Sequence, residues 1–277
     1  MNALNVAGRI PLTSEVVIAI PNLHILGVKE TLRPDIAVAT QDVGLNAGFG
    51  AYTGETSAAQ IVDAGIRWTL AGHSERRVGF GHSGETNDVV GRKTAVALAA
   101  GLSVAVCIGE QLADREGGRT MAVCSEQLAA VVQYLKEADW KKIVIAYEPV
   151  WAIGTGKVAT PEQAEETHRH IREWVSTHVS PAVAAEIRIV YGGSVTGASS
   201  KALVQCPNID GFLVGGASLK PEFVDIIRVR VVPCDKSHRL PFFSVSRALV
   251  LPFLFLTLYL HSFFVSTLQC TEGIATA

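Results

Sequence analysis

Lys142-Ile143-Val144-Ile145-Ala146-Tyr147-Glu148-Pro149-Val150-Trp151-Ala152-Ile153-Gly154-Thr155-Gly156-Lys157 is the stretch that decides the fold. Residues 143–146 form a continuous apolar run, the pattern of a strand buried on both faces. Glu148 stands where that strand surfaces, and Pro149 fixes φ and removes a backbone donor, so the exit is rigid. Ile153-Gly154-Thr155-Gly156 is apolar, and its two glycines change φ/ψ at little cost. Thr160-Pro161-Glu162-Gln163 then opens a helix, with Thr160 as N-cap and Pro161 as first helical residue. A carboxylate at a strand end, followed by an apolar lid, suits proton transfer in a pocket that closes against water. The competing reading is an ordinary βα loop.

Outward from this stretch the same pattern recurs. Apolar runs occupy residues 15–20, 36–39, 68–71, 103–108, 187–191 and 211–214, each nearly continuous rather than alternating. Between them lie segments such as 121–138 and 162–176, whose apolar residues recur every three or four positions, as in helices. Strand-helix alternation at this rhythm predicts βα units around a parallel sheet. Seven strands are legible, one short of a closed eight-stranded barrel.

The loops after these strands hold the polar chemistry. Gly72-His73-Ser74-Glu75-Arg76-Arg77 follows one strand, and Gly192-Gly193-Ser194 and Gly215-Gly216-Ala217-Ser218 follow the last two. Glycine-rich turns usually do no more than turn the chain. Two of them on consecutive strand ends form a candidate anion cradle of backbone N–H groups.

Composition narrows the function classes. With 277 residues, 48% hydrophobic and 18% charged, the chain suffices for one large core or two small ones. A net charge of -2 gives no electrostatic case for nucleic acid. The five cysteines, Cys107, Cys124, Cys206, Cys234 and Cys270, show no metal-ligand spacing and read as reduced thiols. No metal and no organic cofactor is expected. The opening lacks a signal-like apolar run, so a cytoplasmic location is expected.

The quoted motifs, with Gln41 and residues 50–55, resemble the triosephosphate isomerase family, in order from about Leu4 to Ile227. The resemblance implies a (β/α)8 TIM barrel that interconverts dihydroxyacetone phosphate and glyceraldehyde 3-phosphate, small phosphorylated trioses, in glycolysis and gluconeogenesis. It implies Glu148 as general base and His73 as the neutral imidazole that polarises the carbonyl, with Glu75 beside them. It implies Gly154, Gly156, Ser194, Gly215 and Gly216 as phosphate holders. Trp151, Ala152, Ile153, Thr155 and Lys157 would form the lid, gripped by Tyr191 and Ser194. The loop 41–55 exceeds the two to six residues usual for a βα connection. By resemblance it reaches a second subunit through Thr53, so a homodimer is implied.

Three departures stand out. The family's first strand carries an Asn-x-Lys motif, whereas the first lysine here is Lys29, past the second-strand candidate. Residues 4–8 read instead as a helix end capped by Gly8, so the first strand and most of the first helix are expected to be missing. That would leave Glu75 without its lysine partner and the barrel edges unpaired. Loss of one preorganised charge costs on the order of 10²–10³ in rate, which makes an impaired phosphate-binding barrel the alternative function. Residues 78–86 read as a surface insertion with an exposed, idle His82. The family pattern ends near Ile227, so residues 1–227 are expected to form the barrel domain and 228–277 an unrelated tail. Within the tail, residues 248–268 carry no charge and could span a bilayer, flanked by Arg239 and Arg247. The tail is a membrane anchor on one reading and translated non-coding sequence on the other, which is favoured.

Overall fold

The computed structural model describes residues 2–11, 14–81, 83–153 and 158–229, together with the backbone of 253–257. Eight parallel strands form one sheet: β1 (Glu15–Ile20), β2 (Ile36–Thr40), β3 (Trp68–Ala71), β4 (Ser103–Ile108), β5 (Ile143–Tyr147), β6 (Arg188–Tyr191), β7 (Leu213–Val214) and β8 (Phe253–Thr257). The first seven match the apolar runs to within one or two residues. Their order is β6-β5-β4-β3-β2-β1-β8-β7, and a parallel bridge from Tyr191 to Phe212 joins β6 to the β7 segment. The sheet therefore curls into a barrel with helices outside it.

The continuous apolar runs have two faces to fill. Val17, Ala19, Leu70, Ala105, Cys107, Val144 and Ala146 point into the barrel and form one cluster. Their neighbours Val16, Ile18, Ile20, Val104, Val106 and Ile145 join the larger cluster beneath the helices. Both faces are dry, so strict polar alternation is absent. The helix Pro161–His178 begins with the expected cap: Thr160 Oγ1 accepts from Gln163 N, and Gln163 returns a bond to Thr160 N.

Two sequence expectations are corrected here. The edges of β1 and β7 are not unpaired, because β8 lies between them. Val16 pairs with Leu254 and Ile18 with Leu256, and on the other side Leu213 pairs with Phe255. A parallel slot needs backbone groups in register and is largely indifferent to which apolar side chains fill it. The second correction concerns 78–86, which is more than surface insertion. Glu85 is anchored there by Arg76 (2.8 Å) and by the buried Lys93 (2.6 Å), which also holds Asp42 at 2.6 Å. His82 lies outside the described residues, and so does 248–268 apart from β8. Among the described residues no helix is long and apolar enough to cross a membrane.

Arg172 ties the long helix to the final strands. Its Nη1 donates to Ala184 O and Ile187 O, both at 2.8 Å, its Nε donates to Asn208, and its Nη2 pairs with Asp210. Asp210 also accepts from Ile189 N, so one buried charge pair sets the register of helix on sheet. Removing one member strands the other and leaves two carbonyls without donors. Arg172→Met is expected to destabilise the protein by about 3 kcal/mol. Urea denaturation reads this directly, and a loss below about 1 kcal/mol would show the pair to be dispensable.

Candidate active site

Glu148 leaves the end of β5 and turns inward, where it is only 1% exposed. The turn needs room. A Cβ at Gly192 would lie 3.1 Å from Glu148 Cγ and 3.1 Å from Tyr147 O, so a side chain there would press on the carboxylate's stem. Gly192 N donates to Tyr147 O at 2.7 Å, which draws the β6 exit onto β5.

His73 leaves β3 by a different device. Gly72 has φ +71°, a left-handed conformation that favours glycine, and a Cβ there would fall 2.6 Å from Val90. His73 then caps the short helix Ser74–Val78, its Nδ1 accepting from Glu75 N at 3.3 Å. An accepting Nδ1 carries no proton, so the neutral ring keeps its proton on Nε2. That nitrogen faces Glu148 Oε1 at 3.1 Å, while Glu148 Oε2 accepts from Ser74 N at 3.0 Å.

The spacing is that of an ion pair, but burial keeps both groups neutral near pH 7. Desolvation lowers His73 to about 4 and raises Glu148 to about 8. Ser74 N–H and the Arg77 charge partly offset the rise at Glu148. Arg77 itself is tethered, donating to Gly72 O (2.7 Å), Cys107 O (3.0 Å) and Asn87 (2.7 Å). The Cys107 thiol, buried in the barrel beside Glu148, is pushed well up by burial and stays protonated.

The remaining candidates fall into three groups. Ser194 touches the lid: its Oγ donates to Ala152 O at 2.7 Å. Trp151 Nε1 donates to Glu110 at 2.8 Å, and Ile153 packs on the barrel interior. Tyr191 is fully buried in β6, its hydroxyl seated where a Cβ on Gly193 would come within 2.0 Å. Gly215 precedes the turn Gly216–Leu219, and its carbonyl accepts from Ser218 N at 2.9 Å. Gly154, Thr155, Gly156 and Lys157 lie outside the described residues. Thr53 sits exposed in the loop after β2, beside exposed Phe49 and Tyr52. Glu75 corrects an expectation: its carboxylate is not stranded in a dry pocket but is 39% exposed, with Oε2 3.8 Å from His73 Nδ1.

Sequence reading gave no role to Ser74, Arg77 or Glu110. Glu110 had a signal, since it follows Ile108-Gly109 at a strand exit much as Glu148 follows Tyr147. It is fully buried, and it accepts from Tyr147, Thr120 and Trp151. Ser74 and Arg77 act through a fold-dependent approach to β4 and β5, which spacing alone does not reveal.

The buried carboxyl gives stability a pH signature. Between 4.5 and about 8 native Glu148 holds a proton that the unfolded chain has released, so its contribution falls as pH rises. His73 and His168, lowered to about 4 and about 3, act oppositely: stability rises with pH until 6.5 and is flat above. Burial also raises Glu15, Asp42 and Glu110, so between pH 6.5 and 8 it is the comparison with Glu148→Gln that singles out Glu148. The wild-type protein is expected to lose about 2 kcal/mol more across that window than Glu148→Gln does. Denaturant titrations at both pH values check this, and equal losses would mean that Glu148 ionises normally.

The family model for triosephosphate isomerase matches residues 3–230. The chain is also similar to a triosephosphate isomerase of Coprinopsis cinerea, at 58% identity over 230 residues, 83% of this chain and 90% of that protein. With these matches, the chain belongs to the triosephosphate isomerase family.

Proposed function

We propose that this protein is an isomerase that interconverts dihydroxyacetone phosphate and glyceraldehyde 3-phosphate through an enediolate. The observation that carries the reading is the dry, facing pair of Glu148 and neutral His73 at the exits of β5 and β3, on either side of β4. The ionised form of Glu148, a minor species at pH 7 that grows as pH approaches 8, takes the proton from the carbon beside the carbonyl and returns it to the adjacent carbon. His73 Nε2–H donates to the carbonyl oxygen as negative charge develops there, gives it that proton, and recovers one from the neighbouring hydroxyl, so the oxygens exchange carbonyl and hydroxyl roles while the ring ends as it began. Neutrality suits this role, because a neutral donor is close in basicity to the enediolate it stabilises, as the family resemblance implies.

In this reading the turns after β6 and β7, with Ser194, Gly215 and Gly216, receive the phosphate, joined by Gly154 and Gly156 of the lid. The lid's stem is already held by Glu110 on one side and Ser194 on the other. Exposed Leu45, Phe49 and Tyr52 around Thr53 support a homodimer built on the loop 41–55. The catalytic unit is residues 1–227 with the barrel closed by Phe253–Thr257, and the setting is the cytoplasm, in glycolysis and gluconeogenesis.

One observation favours a second reading. The strand beside β1 reads Phe253-Leu254-Phe255-Leu256-Thr257 and brings no cation to the barrel, where the family places a lysine. The alternative is a barrel that binds phosphorylated ligands with little turnover. Kinetics separates the two. Isomerisation of glyceraldehyde 3-phosphate is expected at a rate reduced by roughly 10²–10³ for want of that charge, with a further loss of roughly 10²–10⁴ in Glu148→Gln. Tight binding of a phosphorylated enediolate mimic, with turnover no faster than in Glu148→Gln, would establish the binder instead.

A further inference from the structure

We propose that the seam between β1 and β7 is a strand-acceptor site, and that its occupant is the chain's own segment Phe253–Thr257, a working stave of the barrel. Five residues of β8 pair in register with β1, from Glu15↔Phe253 to Ala19↔Thr257, and two pair with β7. Around the barrel the strands then run in unbroken cyclic chain order, β1 to β8 and back to β1. The step from β7 to β8 also follows the pattern of the others, because the helix Phe223–Arg228 lies between the two strands. A parallel pair needs such a crossover, and a hairpin could not supply it.

Composition fits the slot. Two phenylalanines, two leucines and a threonine make a β-prone, uncharged strand suited to burial on both faces. Without it, β1 and β7 would each present a row of unsatisfied backbone groups at the heart of the fold. Recognition here is by backbone register and apolarity, so the required occupant is an extended apolar peptide running parallel to β1. The same residues fall inside the uncharged stretch 248–268, and a segment seated in the barrel is not available to a bilayer.

Hydrogen exchange on the full-length protein tests the assignment. Amides of 15–20 and 253–257 are both expected to exchange at least ~100-fold more slowly than in unstructured peptides. Phe255→Pro, which removes a ladder donor, is expected to speed exchange in 15–20 by ~10-fold or more and to leave 103–108 in β4 unchanged. Phe255→Leu is expected to behave as wild type. Should Phe255→Pro fail to fold, the wild-type measurement alone decides. Exchange of 253–257 at free-peptide rates beside a protected β1 would overturn the proposal, as would recovery of the full chain in carbonate-resistant membranes.

Discussion

Removal of water from one carboxylate is the constraint on which the rest of the site depends. Glu148 is 1% exposed among the exits of β3, β5 and β6, where Oε2 accepts from Ser74 N–H and Oε1 lies 3.1 Å from His73 Nε2. A carboxylate in water is a weak base. In a dry pocket its charged form loses hydration, and its basicity rises toward that needed to take a proton from carbon. The same dryness lowers His73 and leaves it a neutral donor. One physical cause, desolvation, thus raises the carboxyl and lowers the imidazole.

The backbone around this pair is arranged to permit it. Gly192 leaves space at the Glu148 stem, Gly72 takes the left-handed turn that brings His73 to its cap position, and Gly193 clears the Tyr191 hydroxyl. Each glycine weakens the chain locally through its freedom in the unfolded state. That loss is offset by strands whose apolar faces are buried both inside and outside the barrel. Rigid staves and permissive turns divide the labour, and for that reason functional side chains gather at strand ends.

This division also explains what the sequence makes legible. The first seven strands are readable because burial on both faces leaves an unbroken apolar run, and Thr160-Pro161 announces its helix because capping is local chemistry. Glu148 and His73 are readable as candidates because each follows such a run. The roles of Arg77, Ser74 and Glu110 are not, since each acts on a group brought near only by the closed sheet. Arg77, for example, reaches Cys107 O thirty residues away. The exposure of Glu75 is not legible for a related reason: which side of a pocket rim a carboxylate takes is set by the turn of the short helix Ser74–Val78, not by its neighbours in sequence. The eighth strand is not legible, because an uncharged run reads equally as a bilayer span or as a barrel stave, and only its place between β1 and β7 distinguishes them.

That strand separates two things that a barrel stave ordinarily supplies together. Backbone pairing is generic: any apolar segment of the right length, entering after a crossover helix, satisfies the N–H and C=O groups of its neighbours. Charge is specific to a side chain, and Phe253-Leu254-Phe255-Leu256-Thr257 has none to offer. The Arg77 guanidinium is committed to Gly72 O, Cys107 O and Asn87. Closure of the fold and completeness of the electrostatics are therefore independent here. The barrel closes, and Glu148 and His73 stay dry and neutral, with no charge supplied by the strand 253–257.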